Sequence, residues 1–210
     1  MTDTTPTPTP TPTSTPAPTL DLGPQAAVVA RLAERVTDEQ LADPTPCPEY
    51  AVRNILGHLA GLAVAFRDAG RKDLGATTDT SPGSTLPELG ADWREELPKV
   101  LDEMAEAWRD PAAWTGMTRA GGVDLPGEIG GLVATDELVI HGWDLARATG
   151  QSYTPDPAAL QACHSFLEAS VDDPGRDGIF GPVVTVEPDA SLLARAVGLS
   201  GRNPGWTPRS

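Results

Sequence analysis

Apolar residues return every three or four positions along most of this chain, the period of a helix face, and that constrains the fold more than any other feature. Val52, Ile55, Leu56, Leu59, Ala63 and Phe66 form one stripe of a long amphipathic helix expected from Ala51 to about Lys72. Trp93, Leu97, Leu101, Met104 and Trp108 form another, with Pro98 as a kink or a late start. Val29, Leu32 and Val36 mark a first helix that Asp21 caps and Pro24 opens, running to about Leu41. A pattern behind Pro126 runs to about Thr149, where Gly150 supplies the stop. Leu160, Cys163, Leu167 and Val171 define a fifth helix, and Asp189 is expected to cap a short last one ending near Leu199. Only FGPVVTV, residues 180–186, reads as a strand, and no repeat of fixed period appears. The economical fold is all-α, a bundle of helices with short C-terminal elements.

The remaining segments punctuate this pattern. Residues 42–50, ADPTPCPEY, hold three prolines and make a stiff connection into the second helix. Residues 73–89, DLGATTDTSPGSTLPEL, read as a polar loop. Residues 2–19 are almost wholly threonine and proline and lack apolar surface to offset the cost of ordering, so residues 1–19 are expected to be a disordered or polyproline-like tail. Residues 20–210 are then expected to form one helical domain.

Composition narrows the partners. With 30 acidic and 15 basic residues the net charge is −15, which repels phosphate backbones and anionic headgroups. Nucleic acid and membrane surfaces are therefore not expected as partners, and a small molecule is. The chain shows no signal-type start and no run near the ~20 apolar residues a bilayer requires, so a cytoplasmic location is the default expectation. Cys47 and Cys163 stand alone without CxxC spacing, which suggests neither a disulfide framework nor a thiolate zinc site. GxGxxG, P-loop, GxSxG and HExxH motifs are absent, leaving dinucleotide, P-loop, α/β-hydrolase and zincin chemistry without support.

The residues that carry chemistry are few. Glu137 and His141, in DELVIHGWD, lie four apart on one helix face and project within a single turn, the geometry of a two-point metal grip. His58, at the edge of the second helix's stripe, is the candidate third ligand, because facing helices hold donors rigidly. Two imidazoles and a carboxylate leave coordination positions open, as catalytic rather than structural sites do. The same spacing is also that of an ordinary helical ion pair, and a histidine beside an apolar stripe is also what a core edge looks like. Two of only three histidines nevertheless fall on the two most regular helices, and His164, the third, reads as ordinary. Asp144 is placed either to accept from a ligand imidazole or to pair with an arginine such as Arg147. Trp143 reads as core rather than as a wall of the site, and Cys47 as a buried inert thiol rather than an activated one.

Three stretches together, TPCPEYAVRNILGHLAGLAVAF, ELVIHGWDLARATGQ and IFGPVVTVEPDASLLARAVGLSGRNP, resemble actinobacterial metal-binding proteins related to the N-terminal domain of mycothiol-dependent maleylpyruvate isomerase, in the DinB-like superfamily. The resemblance runs from about Leu20 to Pro204, and Tyr50 departs from it, standing where relatives commonly carry Trp. It implies a DinB-like four-helix bundle with a divalent metal, commonly zinc, held between helices by His58, Glu137 and His141. It also implies mycothiol as a cosubstrate, while the additional C-terminal domain of the full isomerase is not found here, so the isomerase activity is not carried over.

Two functions follow as expectations: a metal-dependent thiol (mycothiol) transferase or isomerase acting on a small molecule, or a non-catalytic metal-binding or sensing module whose ion stabilises the bundle. A metal-free structural protein would instead hold His58 more than about 10 Å from Glu137 and His141, because direct ligation places each donor near 2 Å from one ion. Catalytic residues, substrate and oligomeric state are not specified by the sequence.

Overall fold

A computed structural model describes residues 20–81, 86–176 and 179–208. The Thr/Pro tail expected to be disordered lies outside the described residues. Those described form helices α1 (Gly23–Glu34), α2 (Val52–Arg71), α3 (Ala76–Asp79), α4 (Trp93–Ala107), α5 (Gly127–Ala148), α6 (Pro157–Ala169) and α7 (Leu192–Leu199). One antiparallel hairpin, β1 (Met117–Ala120) with β2 (Val123–Pro126), precedes α5.

Four helices close a ring: α2 packs on α4 and α5, and α1 packs on the same two. Val29 and Leu32 of α1, Ile55, Leu56 and Leu59 of α2, Leu97, Leu101 and Met104 of α4, and Leu138 and Leu145 of α5 meet inside it, all buried. Those of α1, α2 and α4 come from apolar stripes, so the bundle is the burial of those faces against one another and against α5. Trp108 adds a polar anchor, donating its ring N–H to the Phe66 carbonyl at 2.8 Å.

The second layer explains why α5 differs from its neighbours. Val139 and Ile140 face away from the ring and pack with Ala159, Cys163 and Leu167 of α6 and Ala196 of α7. With partners on both sides, α5 is buried continuously from Leu138 to Ala146. Polar groups on such a helix must find partners inside the protein, and α5 carries Asp136, Glu137, His141 and Asp144.

The structure corrects several boundaries. The first helix ends at Glu34 instead of continuing to Leu41, because the amides of Arg35 and Val36 close tight turns to Leu32 and Ala33 and Thr37 is extended. The Thr37 amide then donates to the Gln40 side chain at 3.0 Å, starting a separate 3-10 turn over Asp38–Ala42. Asp21 is not the cap itself, but accepts the Gly23 amide at 2.9 Å. Pro98 lies inside α4 near its start, where only the bond to the Arg94 carbonyl is forgone. The segment read as a polar loop contains the single turn α3.

The strand expected at residues 180–186 has no ladder; the Val184 amide donates instead to Gly198 at the end of α7 (2.9 Å). The strands lie in the turn-rich segment before α5, where Gly121 and Gly122 take φ of 60° and 79° and make the left-handed two-residue turn that a tight hairpin requires. Ser191 caps α7, accepting the Ala194 amide at 3.2 Å, in place of the expected Asp189. Among the described residues, no helix is long and apolar enough to cross a membrane.

Candidate metal centre

The packing of α2 on α5 brings His58 to Glu137 and His141. His58 Nε2 and His141 Nε2 each lie 3.1 Å from Glu137 Oε2, and one donor atom from each of the three residues fits within a 4.8 Å cluster. The imidazoles meet edge to face, with ring centroids 4.7 Å apart. Tyr50, from the proline-rich connection, lies beside His58 with its ring centroid 5.8 Å away. The divergence that a metal-free structural protein would show is absent from this triad.

The His141 ring is oriented from behind. The His141 Nδ1–H donates to Asp144 Oδ2 at 2.9 Å, which turns Nε2 toward Glu137. Asp144 is fully buried and takes a second bond from Arg202 Nη2, at 3.2 Å. Asp144 therefore does both things expected of it, accepting from an imidazole and pairing with an arginine, but that arginine is Arg202 and not Arg147. Arg147 turns away and donates from Nε and Nη2 to the Trp206 carbonyl.

The electrostatics suit a cation. Burial, the largest influence on Glu137, pushes its carboxyl upward, but hydrogen bonds from His141 and His58 outweigh it and hold the group well below the usual carboxylate range. Burial likewise pulls the His141 imidazole down, yet the Asp144 and Glu137 carboxylates prevail and raise it to about 9. Behind Glu137, burial pushes Asp136 up to about 7; it accepts a hydrogen bond from the Cys163 thiol at 3.2 Å. Cys163 is itself raised well above the ordinary thiol range, by burial first and by Asp136 next.

The donor set fits a divalent ion. Donors at about 2.1 Å from one ion and 3.1 Å apart subtend roughly 95°, between octahedral and tetrahedral angles. Nitrogen and carboxylate oxygen are donors that zinc and neighbouring first-row metals accept. The Glu137 side chain keeps 27% of its surface exposed, so the cluster opens toward solvent on one side.

Other residues singled out from the sequence are not among the three donors. His164 Nδ1 is 4.0 Å from Glu168 on α6. Trp143 is buried. Burial, with the Asp144 charge adding to it, pushes the Cys47 thiol up to about 11, as expected for an inert cysteine. Arg202 and the Asp136–Cys163 pair were not legible as site neighbours. The available signal for Arg202 was Gly201, placed just past a helix end where a turn would fix the next side chain.

A four-helix bundle with imidazole and carboxylate donors converging between two of its helices defines the class of protein, and agrees with the DinB-like architecture. The chain belongs to the mycothiol maleylpyruvate isomerase N-terminal domain family, whose model matches residues 22–146. The match contains all three candidate ligands and Asp144, and ends before α6, α7 and Arg202. Two uncharacterized proteins of Mycobacterium tuberculosis, from strains CDC 1551 / Oshkosh and ATCC 25618 / H37Rv, are each 27% identical over 153 residues, covering 70% of this chain and 78% of the relative. No solved structure matches.

Proposed function

We propose that His58, Glu137 and His141 bind one divalent metal ion, zinc by the family resemblance, and that the protein uses it as a thiol-dependent transferase or isomerase acting on a small molecule. The observation that carries this reading is the convergence of two Nε2 atoms on one carboxylate oxygen, each at 3.1 Å. The family's description, a mycothiol maleylpyruvate isomerase N-terminal domain, supports mycothiol as that thiol.

A divalent ion bound there supplies positive charge that lowers the pKa of a coordinated thiol, making thiolate available near neutral pH. The protein's own part is positional. His58 on α2 and the Glu137–His141 pair on α5 fix three donors on two rigid helices. Asp144 holds the His141 ring so that Nε2 would be free to bind an ion there. The exposed edge of Glu137 leaves one side of the cluster for a substrate. That exposure favours an open, reactive site over a closed one whose ion only stabilises the bundle.

Cobalt(II) substitution tests the reading. Adding mycothiol to the cobalt-loaded protein should produce a sulfur-to-cobalt charge-transfer band that His58→Ala lacks. A cobalt-loaded protein whose spectrum ignores the thiol would count for the purely stabilising ion.

A further inference from the structure

We propose that Arg202, beyond the family-matched part of the chain, is a positioning residue for the metal centre, so that metal affinity depends on the docking of the segment after α7. The inference rests on the metal reading above and adds a residue and a segment to it.

The local sequence places Arg202 with little freedom. The Gly201 amide bonds to the Gly198 carbonyl at 3.0 Å and the Arg202 amide to Val197 at 3.1 Å. Gly201 has φ of 86°, so α7 ends in the left-handed turn that closes a helix with paired bonds. A Cβ at Gly201 would lie 2.6 Å from the Gly181 Cα, which ties this turn to the preceding segment. The turn delivers the Arg202 side chain, 14% exposed, to a carboxylate on α5 with no exposed surface.

That carboxylate is the one holding His141. Asp144 Oδ2 accepts both the His141 Nδ1–H, at 2.9 Å, and Arg202 Nη2, at 3.2 Å. A buried carboxylate without a cation is costly, so removing Arg202 leaves Asp144 to re-orient or draw in water, and the imidazole it aims moves with it. The Arg–carboxylate fork is half made: Asp144 Oδ1 and Arg202 Nε are buried without a hydrogen-bond partner among the described residues. The carboxylate therefore retains a rotation that Arg202 restrains through a single bond.

The test measures zinc affinity of the full chain by chelator competition, with hydrogen exchange of residues 200–206 as a second readout. Arg202→Gln should weaken zinc about tenfold, the lower end of the ~10–100-fold range for outer hydrogen-bond partners of a metal ligand, and Arg202→Lys should recover part of the loss. Zinc should slow exchange at residues 200–206 in wild type and not in Arg202→Gln. If Arg202→Gln does not fold, Asp144→Asn alone and with Arg202→Gln still decides, since neither leaves an unpaired buried carboxylate. Once Asp144 is neutral, removing Arg202 should change zinc affinity by less than about twofold, because coupled residues are non-additive. Unchanged affinity in Arg202→Gln, even with faster exchange of the segment, would overturn the inference and leave Arg202 a tether. A full tenfold loss on adding Arg202→Gln to Asp144→Asn would overturn it too. A wild type that takes up no zinc would sink the metal reading itself.

Discussion

His58 lies 79 residues before Glu137, yet its ring meets that of His141 edge to face at 4.7 Å and both Nε2 atoms point at the same Glu137 carboxylate oxygen. Two imidazoles held this close, on helices fixed by a packed core, form a site built before any ligand arrives. A metal that binds it should therefore change the fold little and its stability considerably.

Zinc at a hundred times its Kd should raise the melting temperature by about 5–10 °C, since binding at that excess adds about 2.7 kcal/mol and a chain of this size gains a few degrees per kcal/mol. Differential scanning calorimetry with and without zinc measures it. His58→Ala should melt at one temperature in both conditions.

Glu137→Gln keeps the shape of the central donor and removes its charge. Zinc affinity should fall by more than about 100-fold, beyond what the outer partners of a ligand usually contribute, with the helical circular dichroism unchanged. Chelator competition reads the affinity. A loss under tenfold would show that Glu137 is a neighbour of the ion and not a ligand.

Zinc bound by His141 would have to displace the proton that the metal-free protein keeps there up to about pH 9. Apparent affinity should rise by about tenfold per pH unit from pH 6.5 toward 9 and then level. The metal-free protein should move oppositely. Its His141 value lies above the ordinary 6.5, so that contribution to stability is full below about 6.5 and is lost as pH rises through about 9. Urea melts of metal-free protein across this range check the second statement, and titrations of zinc the first.

Asp136 supplies a separate pH signature. Its carboxyl is raised from 3.8 to about 7, chiefly by burial, so the folded state holds its proton more tightly and the group costs stability as pH rises from about 4 to 7. Asp136→Asn should stabilise the metal-free protein by about 1–3 kcal/mol at pH 8 and leave it unchanged at pH 4. Equal effects at both values would place the benefit in packing instead of ionisation.

Much of this architecture was legible in the sequence because period and burial agree. The stripes on α2 and α4 face one core, and their residues are where the period puts them. The Glu137–His141 pair was visible because four residues on any regular helix share a face. That His58 would meet it depended on which helices are neighbours, which periodicity does not specify and the family resemblance does. The first helix ends short of its apolar period because Thr37 and Gln40 satisfy each other's groups and compete with continued helix. The hairpin was missed because its strands are four residues long, too short to show an alternation, although the Gly121–Gly122 pair marked the turn. Arg202 was not legible because its partner, Asp144, lies 58 residues away; Gly201 marks the turn before it but not the carboxylate it meets.

The most direct test is metal content by elemental mass spectrometry on purified wild type beside the His58→Ala, His141→Ala double variant, each reconstituted with zinc and then desalted. The account predicts about one equivalent in wild type and almost none in the variant, as three shared donors around one ion require. Equal, near-zero metal in both proteins would contradict it, and would leave the His58–Glu137–His141 cluster as a buried ion-pair network joining α2 to α5.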